Sequence, residues 1–193
     1  MSSAEQKTRG GTTLAWLQLV RLPNLFTAAA DVAAGFLFTH AALTSGDVLP
    51  MSLLIAASVA LYAAGVVLND VFDYELDCSE RPERPLPSGR ISLGAAKLAG
   101  WGVLVAGVGL AGVAAILDGD MRPGMIALAL AVAIVAYDGL LKKTPLGPPA
   151  MGVCRGLNLL LGMSLSTVAW QTPHYLVAGA MTVYVMGITW FAR

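Results

Sequence analysis

An asparagine and three aspartates carry the most concentrated chemistry in this sequence. The run Asn69-Asp70-Val71-Phe72-Asp73-Tyr74-Glu75-Leu76-Asp77 spaces Asp70, Asp73 and Asp77 at i, i+3 and i+7, with Asn69 four residues before Asp73. On a helix these side chains share one face. Acidic groups gathered at the end of a membrane helix repel one another and are costly to desolvate. A divalent cation is the natural compensation. Hard carboxylate and amide oxygens suit Mg²⁺, which keeps several waters and binds alongside substrate phosphates. Asn69, Asp70, Asp73 and Asp77 are therefore the candidate metal ligands, and the three aspartates the candidate catalytic groups.

The next residues bring the opposite charge: Arg81-Pro82-Glu83-Arg84-Pro85-Leu86-Pro87-Ser88-Gly89-Arg90. Arginine forks match phosphate oxygens bidentately. An acidic helix end followed by an arginine loop suits a Mg²⁺-bound diphosphate. The plainer alternative is that the carboxylates pair with Arg81 and Arg84 as a solvated cap at a membrane surface.

Such a site needs helices to hold it, and the composition supplies them. Apolar residues make up 56% of the 193 and charged residues 12%, about half the charged share of a soluble domain. Mean hydropathy is +0.70. The stretches 49–68 and 98–117 carry no charge at all, and about 20 such residues cross a hydrocarbon core of about 30 Å. Six apolar segments are predicted, at 22–44, 49–69, 96–117, 123–141, 151–170 and 174–191, with Pro145, Pro148 and Pro149 separating the fourth from the fifth. Backbone groups in lipid must be bonded within the segment, so these are helices; none alternates like a barrel strand. The expectation is one all-α, polytopic domain over 1–193, with a polar tail at 1–13 and no cleaved signal peptide. Cys78 and Cys154 have no paired spacing and read as free thiols. Asp31 lies in the first segment, and Arg155 and Asn158 lie one turn apart in the fifth. These last two either join helices by hydrogen bonds or face a cavity.

Orientation follows from the basic residues. With the N-terminus inside, eleven of the twelve Lys and Arg fall on or near the cytoplasmic side, and Arg122 alone falls outside. That bias is the positive-inside rule. The outer loops carry Asp47, Asp118 and Asp120 instead. An integral, multi-pass protein is expected, in a bacterial inner membrane, with the aspartate run and its loop cytoplasmic. No nucleic-acid partner is expected.

Residues 69–77 read N-D-x-x-D-x-x-x-D, and Arg84-Pro85-Leu86-Pro87-Ser88-Gly89 follows. This resembles the first aspartate-rich motif of the UbiA superfamily of intramembrane prenyltransferases. Arg21-Leu22-Pro23-Asn24 is similar to the family's lead-in to its first helix. Tyr137-Asp138-Gly139-Leu140-Leu141-Lys142 is similar to the Y-x-x-x-L-K ending of the fourth, and Arg155-Gly156-Leu157-Asn158 to the arginine–asparagine pair of the fifth. Asp31 and the run 80–85 resemble the EboC-like branch more than the quinone enzymes.

The resemblance implies a bundle of about nine spans around a cavity open to the cytoplasm. There, two aspartate-rich motifs would bind Mg²⁺ and an isoprenyl diphosphate, whose prenyl group passes to an aromatic or other lipophilic acceptor. On that reading Asn24, Arg81, Arg84, Tyr137, Lys142, Arg155 and Asn158 join the substrate site. The second motif is expected at the end of the sixth helix, where this sequence stops at Thr189-Trp190-Phe191-Ala192-Arg193. Six of about nine spans are therefore expected, with catalysis by the chain alone impaired. The competing readings are a non-catalytic protein that binds or moves a lipid or small molecule, and an inactive part of a longer enzyme.

Overall fold

The computed structural model describes residues 12–40, 42–166 and 169–192. Among them there is no strand. Helix α1 covers 12–19, and a 3₁₀ turn at Leu22–Asn24 leads into α2 (Leu25–Thr39). Then follow α3 (Val48–Phe72), α4 (Tyr74–Glu80), α5 (Leu93–Asp118) and α6 (Arg122–Ala136), which runs on through a π-turn at Tyr137–Leu141. Helices α7 (Gly147–Met163) and α8 (Thr172–Phe191) complete the order.

The predicted polar tail lies outside the described residues through position 11, and residues 12 and 13 already belong to α1. Ala15 and Leu19, one turn apart, bury against Val67, Ile91 and Ala96. Their shared face docks α1 beside the end of α3 that carries the aspartate run.

The six predicted segments correspond to α2, α3, α5, α6 with its π-turn, α7 and α8. Five of these helical stretches are long and apolar enough to cross a membrane, the first counted from Leu22 to Thr39. The exception is α7, with 17 residues including Arg155 and Asn158; at 1.5 Å per residue it extends only about 25 Å. It is the inner helix, packed against α2, α6 and α8.

Three boundaries differ from expectation. The first segment ends at Thr39, because His40 is already extended (φ −124°). The fifth begins at Gly147 and ends at Met163, with 167 and 168 outside the described residues. Pro148 and Pro149 are thus not a linker but the first turn of α7, where a missing N–H costs no hydrogen bond. The aspartate run is also not one helix. The α-helical run ends at Phe72, and Asp73 (φ −91°, ψ 6°) joins α3 to α4.

On α3, Leu54, Ala57, Leu61, Ala64 and Leu68 recur every three or four residues and are fully buried in the core. Association in lipid depends on close packing of small residues, and α2 and α7 meet this way. A Cβ on Gly35 would collide with the carbonyl of Leu159, and one on Gly162 with that of Val32. Neither carbonyl can move without shifting a helix. Gly162→Leu is expected to destabilise the protein by about 1–3 kcal/mol or more, as overpacking does. Thermal unfolding in detergent would register the loss; an unchanged midpoint would show that the two helices separate freely.

Candidate active site

Four cations surround the three aspartates. The guanidinium of Arg21 donates to Asp70 Oδ1 at 3.1 Å. Arg84 donates to Asp77 Oδ2 at 2.7 Å and lies 3.7 Å from Asp70 Oδ1. Lys142 Nζ reaches Asp73 Oδ2 at 2.6 Å and Asn69 Oδ1 at 3.0 Å. Lys143 Nζ stands 3.4 Å from Asp73 Oδ1, which is buried and accepts no hydrogen bond. The break at Asp73 explains this division: Asp70 and Asp77 stay together on Arg84, while Asp73 faces the lysines that follow α6.

Local backbone geometry places two of these cations. Arg21 has φ 50° and ψ 55°, the sole described non-glycine residue with positive φ, a conformation that costs on the order of 1–2 kcal/mol. The π-turn closes with Lys142 N–H donating to Tyr137 O at 2.9 Å. In a continuous α-helix five residues would rotate Lys142 about 140° from Tyr137; the wider turn returns both to the same side. Such π-turns are frequent at functional sites.

A cavity of about 250 Å³ opens beside the cluster. Arg21, Asn69, Tyr137 and Asp138 line it near the aspartate run; Ser58, Arg155 and Asn158 line it deeper; Tyr62, Val66, Leu130, Ile134 and Met151 supply much of its apolar wall. From Asn69 to Ser58 it follows α3 for about 16 Å. At its deep end Arg155 pairs with Asp31 at 2.9 Å. Asn158 donates to Asp31 and to Ala28 O, both at 3.1 Å, and accepts from Ser58 at 2.6 Å. On α4, a hydrogen bond with the Cys78 thiol one turn away pushes the Tyr74 phenol above its ordinary range.

A profile of the UbiA prenyltransferase family matches residues 27–193. The chain belongs to the UbiA prenyltransferase family. Its relatives include digeranylgeranylglyceryl phosphate synthases. That of Methanoculleus marisnigri is 35% identical over 77% of this chain and 50% of its own length. Those of Methanopyrus kandleri (39%; 68% and 45%) and Ignicoccus hospitalis (36%; 83% and 50%) are comparable. A solved structure, described as digeranylgeranylglyceryl phosphate synthase in membranes, superposes with a TM-score of 0.74 at 27% identity. It covers 93% of this chain and 60% of that one. The chain thus spans about half the length of the curated relatives it matches.

Within this UbiA-family chain, the residues expected from sequence divide into three groups. Asn69, Asp70, Asp73, Asp77, Arg84 and Lys142 form the charged cluster, and Asn69 alone of these also lines the cavity. Tyr137 lines the cavity beside the cluster, and Arg155 and Asn158 line it deeper. Arg81 and Asn24 are not brought in: both are exposed, neither lines the cavity, and neither side chain has a hydrogen-bond or ion-pair partner among the described residues. Arg81 follows directly on α4 and turns outward. The sequence reading missed the places of Arg21 and Lys143 in the charged cluster and of Asp138 in the cavity lining. An acid one residue after Tyr137, at the end of an apolar segment, was the available signal for Asp138. Both cysteines are free, Cys78 exposed and Cys154 buried at the cavity wall.

Proposed function

We propose that this chain acts as a Mg²⁺-dependent membrane prenyltransferase, transferring an isoprenyl group from an isoprenyl diphosphate to a lipophilic or aromatic acceptor. The observation that carries the reading is the cluster of four cations and three carboxylates opening, through Arg21 and Asn69, into an apolar-walled cavity. A diphosphate needs the first part and a prenyl chain the second.

The donors fit magnesium by chemistry: carboxylate and amide oxygens, with Asp73 Oδ1 buried and unbonded. No three acidic groups among the described residues converge into a ready-made cage. That suits an ion which takes one or two carboxylates and completes its shell with water and substrate phosphate. Asn69, Asp70, Asp73 and Asp77 are the groups that would hold it, one or two carboxylates at a time, and a bound ion would supply positive charge where leaving-group charge develops. Arg21, Arg84, Lys142 and Lys143 would exchange their carboxylate partners for phosphate oxygens. The allylic C–O bond then breaks, its electron pair leaving with diphosphate, and the acceptor attacks the cation. The apolar wall excludes water that would quench it. The relatives' name describes a glyceryl phosphate bearing two geranylgeranyl chains, which favours a glycerol-lipid acceptor with a hydroxyl nucleophile.

Binding of geranylgeranyl diphosphate to the purified chain in lipid nanodiscs, with Mg²⁺ or with EDTA, tests the reading. Mg²⁺-dependent binding is expected, with transfer to a lipid alcohol measurable but impaired in this chain alone. No binding under either condition would refute it, and binding without transfer would assign a lipid-binding role instead.

We further propose that the cluster faces the cytoplasm. The exception among the basic residues, Arg122, supports this: its Nε lies 2.6 Å from Asp120, it donates to Ser166 O, and its guanidinium stands 5.7 Å from the Trp170 ring. Its charge is neutralised locally and weighs little in the bias. In a Cys78→Ser background, cysteines at Ser88 and Leu146 are expected to resist an impermeant maleimide on intact cells, and those at Gly46 and Gly119 to react. Labelling of Ser88 from outside would reverse the topology.

A further inference from the structure

We infer that Asp138 is the proton acceptor of the transfer step, taking the proton that the acceptor's hydroxyl loses as its oxygen is alkylated. This rests on the prenyltransferase reading.

Three observations single it out. Asp138 is 95% buried, being 5% exposed, and lines the cavity. Its carboxylate has no hydrogen bond or ion pair among the described residues, yet its oxygens are not fully enclosed by protein. They are open to the cavity. It is also the sole carboxylate among the lining residues: Asp70, Asp73 and Asp77 lie outside the lining and are each paired with a cation. An unpaired buried acid is expensive in a membrane helix and marks function by default. The π-turn sets it between Tyr137, also lining the cavity, and Lys142, which attracts it from the cluster.

The chemistry needs such a group. When the allylic C–O bond breaks, diphosphate leaves with the electron pair. A hydroxyl oxygen then forms the new C–O bond and must release its proton. The other polar groups of the cavity are poorly suited. Ser58 and Asn158 are fully engaged with Ala28 O, Asp31 and each other. Arg21 and Arg155 are cations held by Asp70 and Asp31. Asp138 would accept the proton, becoming a neutral acid, and return it to water once product and diphosphate have left. General-base assistance of this kind contributes roughly 10²–10⁴-fold.

The test compares wild type with Asp138→Asn in nanodiscs, measuring Mg²⁺-dependent binding of geranylgeranyl diphosphate and transfer to a series of lipid alcohols of rising acidity. Asp138→Asn is expected to bind the diphosphate as wild type does, which also reports that it folds. It should transfer to an ordinary alcohol at least about a hundredfold more slowly. The deficit should shrink steadily as the alcohol becomes more acidic, because a better acid needs less help; a merely structural defect would not follow acceptor acidity. Transfer at the wild-type rate, or a deficit equal for every alcohol, would overturn the assignment and leave the prenyltransferase reading intact. If wild type itself fails to bind the diphosphate, that reading falls and this inference with it.

Discussion

Replacing Asp73 with alanine is expected to abolish the metal-dependent part of isoprenyl-diphosphate binding and to slow transfer by about a thousandfold. Asp73 is the hinge between α3 and α4, and among the described residues its Oδ1 is a fully sealed carboxylate oxygen that accepts no hydrogen bond. Its other oxygen holds Lys142 at 2.6 Å. Alanine removes the proposed hard ligand for the metal and, at once, a counterion from two lysines. The signs of these effects are opposite. Losing the ligand weakens the metal, whereas freeing Lys142 and Lys143 strengthens attraction for bare diphosphate. Titration with Mg²⁺ should therefore show nearly full loss of the metal-dependent component, while binding in EDTA persists or increases. Asp73→Asn separates the roles, because the amide can still accept from Lys142 but is a far poorer magnesium ligand than a carboxylate. It should match Ala in metal dependence. If both variants kept wild-type Mg²⁺ dependence, the metal would have to lie elsewhere.

What could be read from sequence was whatever lies close along the chain. Asn69 to Asp77 and Arg84 declare themselves because the candidate ligands and their counter-charge fall within one helix end and one loop. The same reading took the run as one continuous helix, since it contains no proline or glycine to mark the break at Asp73. Partners far apart in sequence were visible only through family resemblance. Lys142 stands 73 residues from Asn69 and was found that way, whereas Arg21, 49 residues from Asp70, was seen only as a flank of the first span. Its left-handed backbone is set by the junction between α1 and the 3₁₀ turn, which no local pattern announces. Pro148 and Pro149 misled because proline breaks a helix interior yet fits its first turn. Asp138 stayed hidden for a different reason. Its significance is the lack of a partner, and that emerges only when every neighbouring helix is in place.

The deep end of the cavity offers the largest expected effect on stability. Asp31 (side chain 8% exposed) and Arg155 (19%) meet at 2.9 Å between α2 and α7, beneath the close contact of Gly35 and Gly162. Removing one member of a buried pair strands the other's charge, a loss of about 3–5 kcal/mol. Asp31→Leu leaves Arg155 with no anion among the described residues; Arg155→Met leaves Asp31 with only the Asn158 amide. Each single variant should therefore unfold at a markedly lower temperature in detergent. The double variant Asp31→Leu, Arg155→Met removes both charges and keeps apolar volume. The bonds of Asn158 to Ala28 O and Ser58 survive it, because neither involves the altered residues. It should be more stable than either single variant, since replacing a whole buried pair with apolar groups is often neutral. That non-additivity is the decisive quantity, because residues acting as a unit couple by about 0.5–3 kcal/mol. Strictly additive losses would mean that the two charges are solvated independently through the cavity, and that α2 and α7 are held by glycine packing and Asn158 alone.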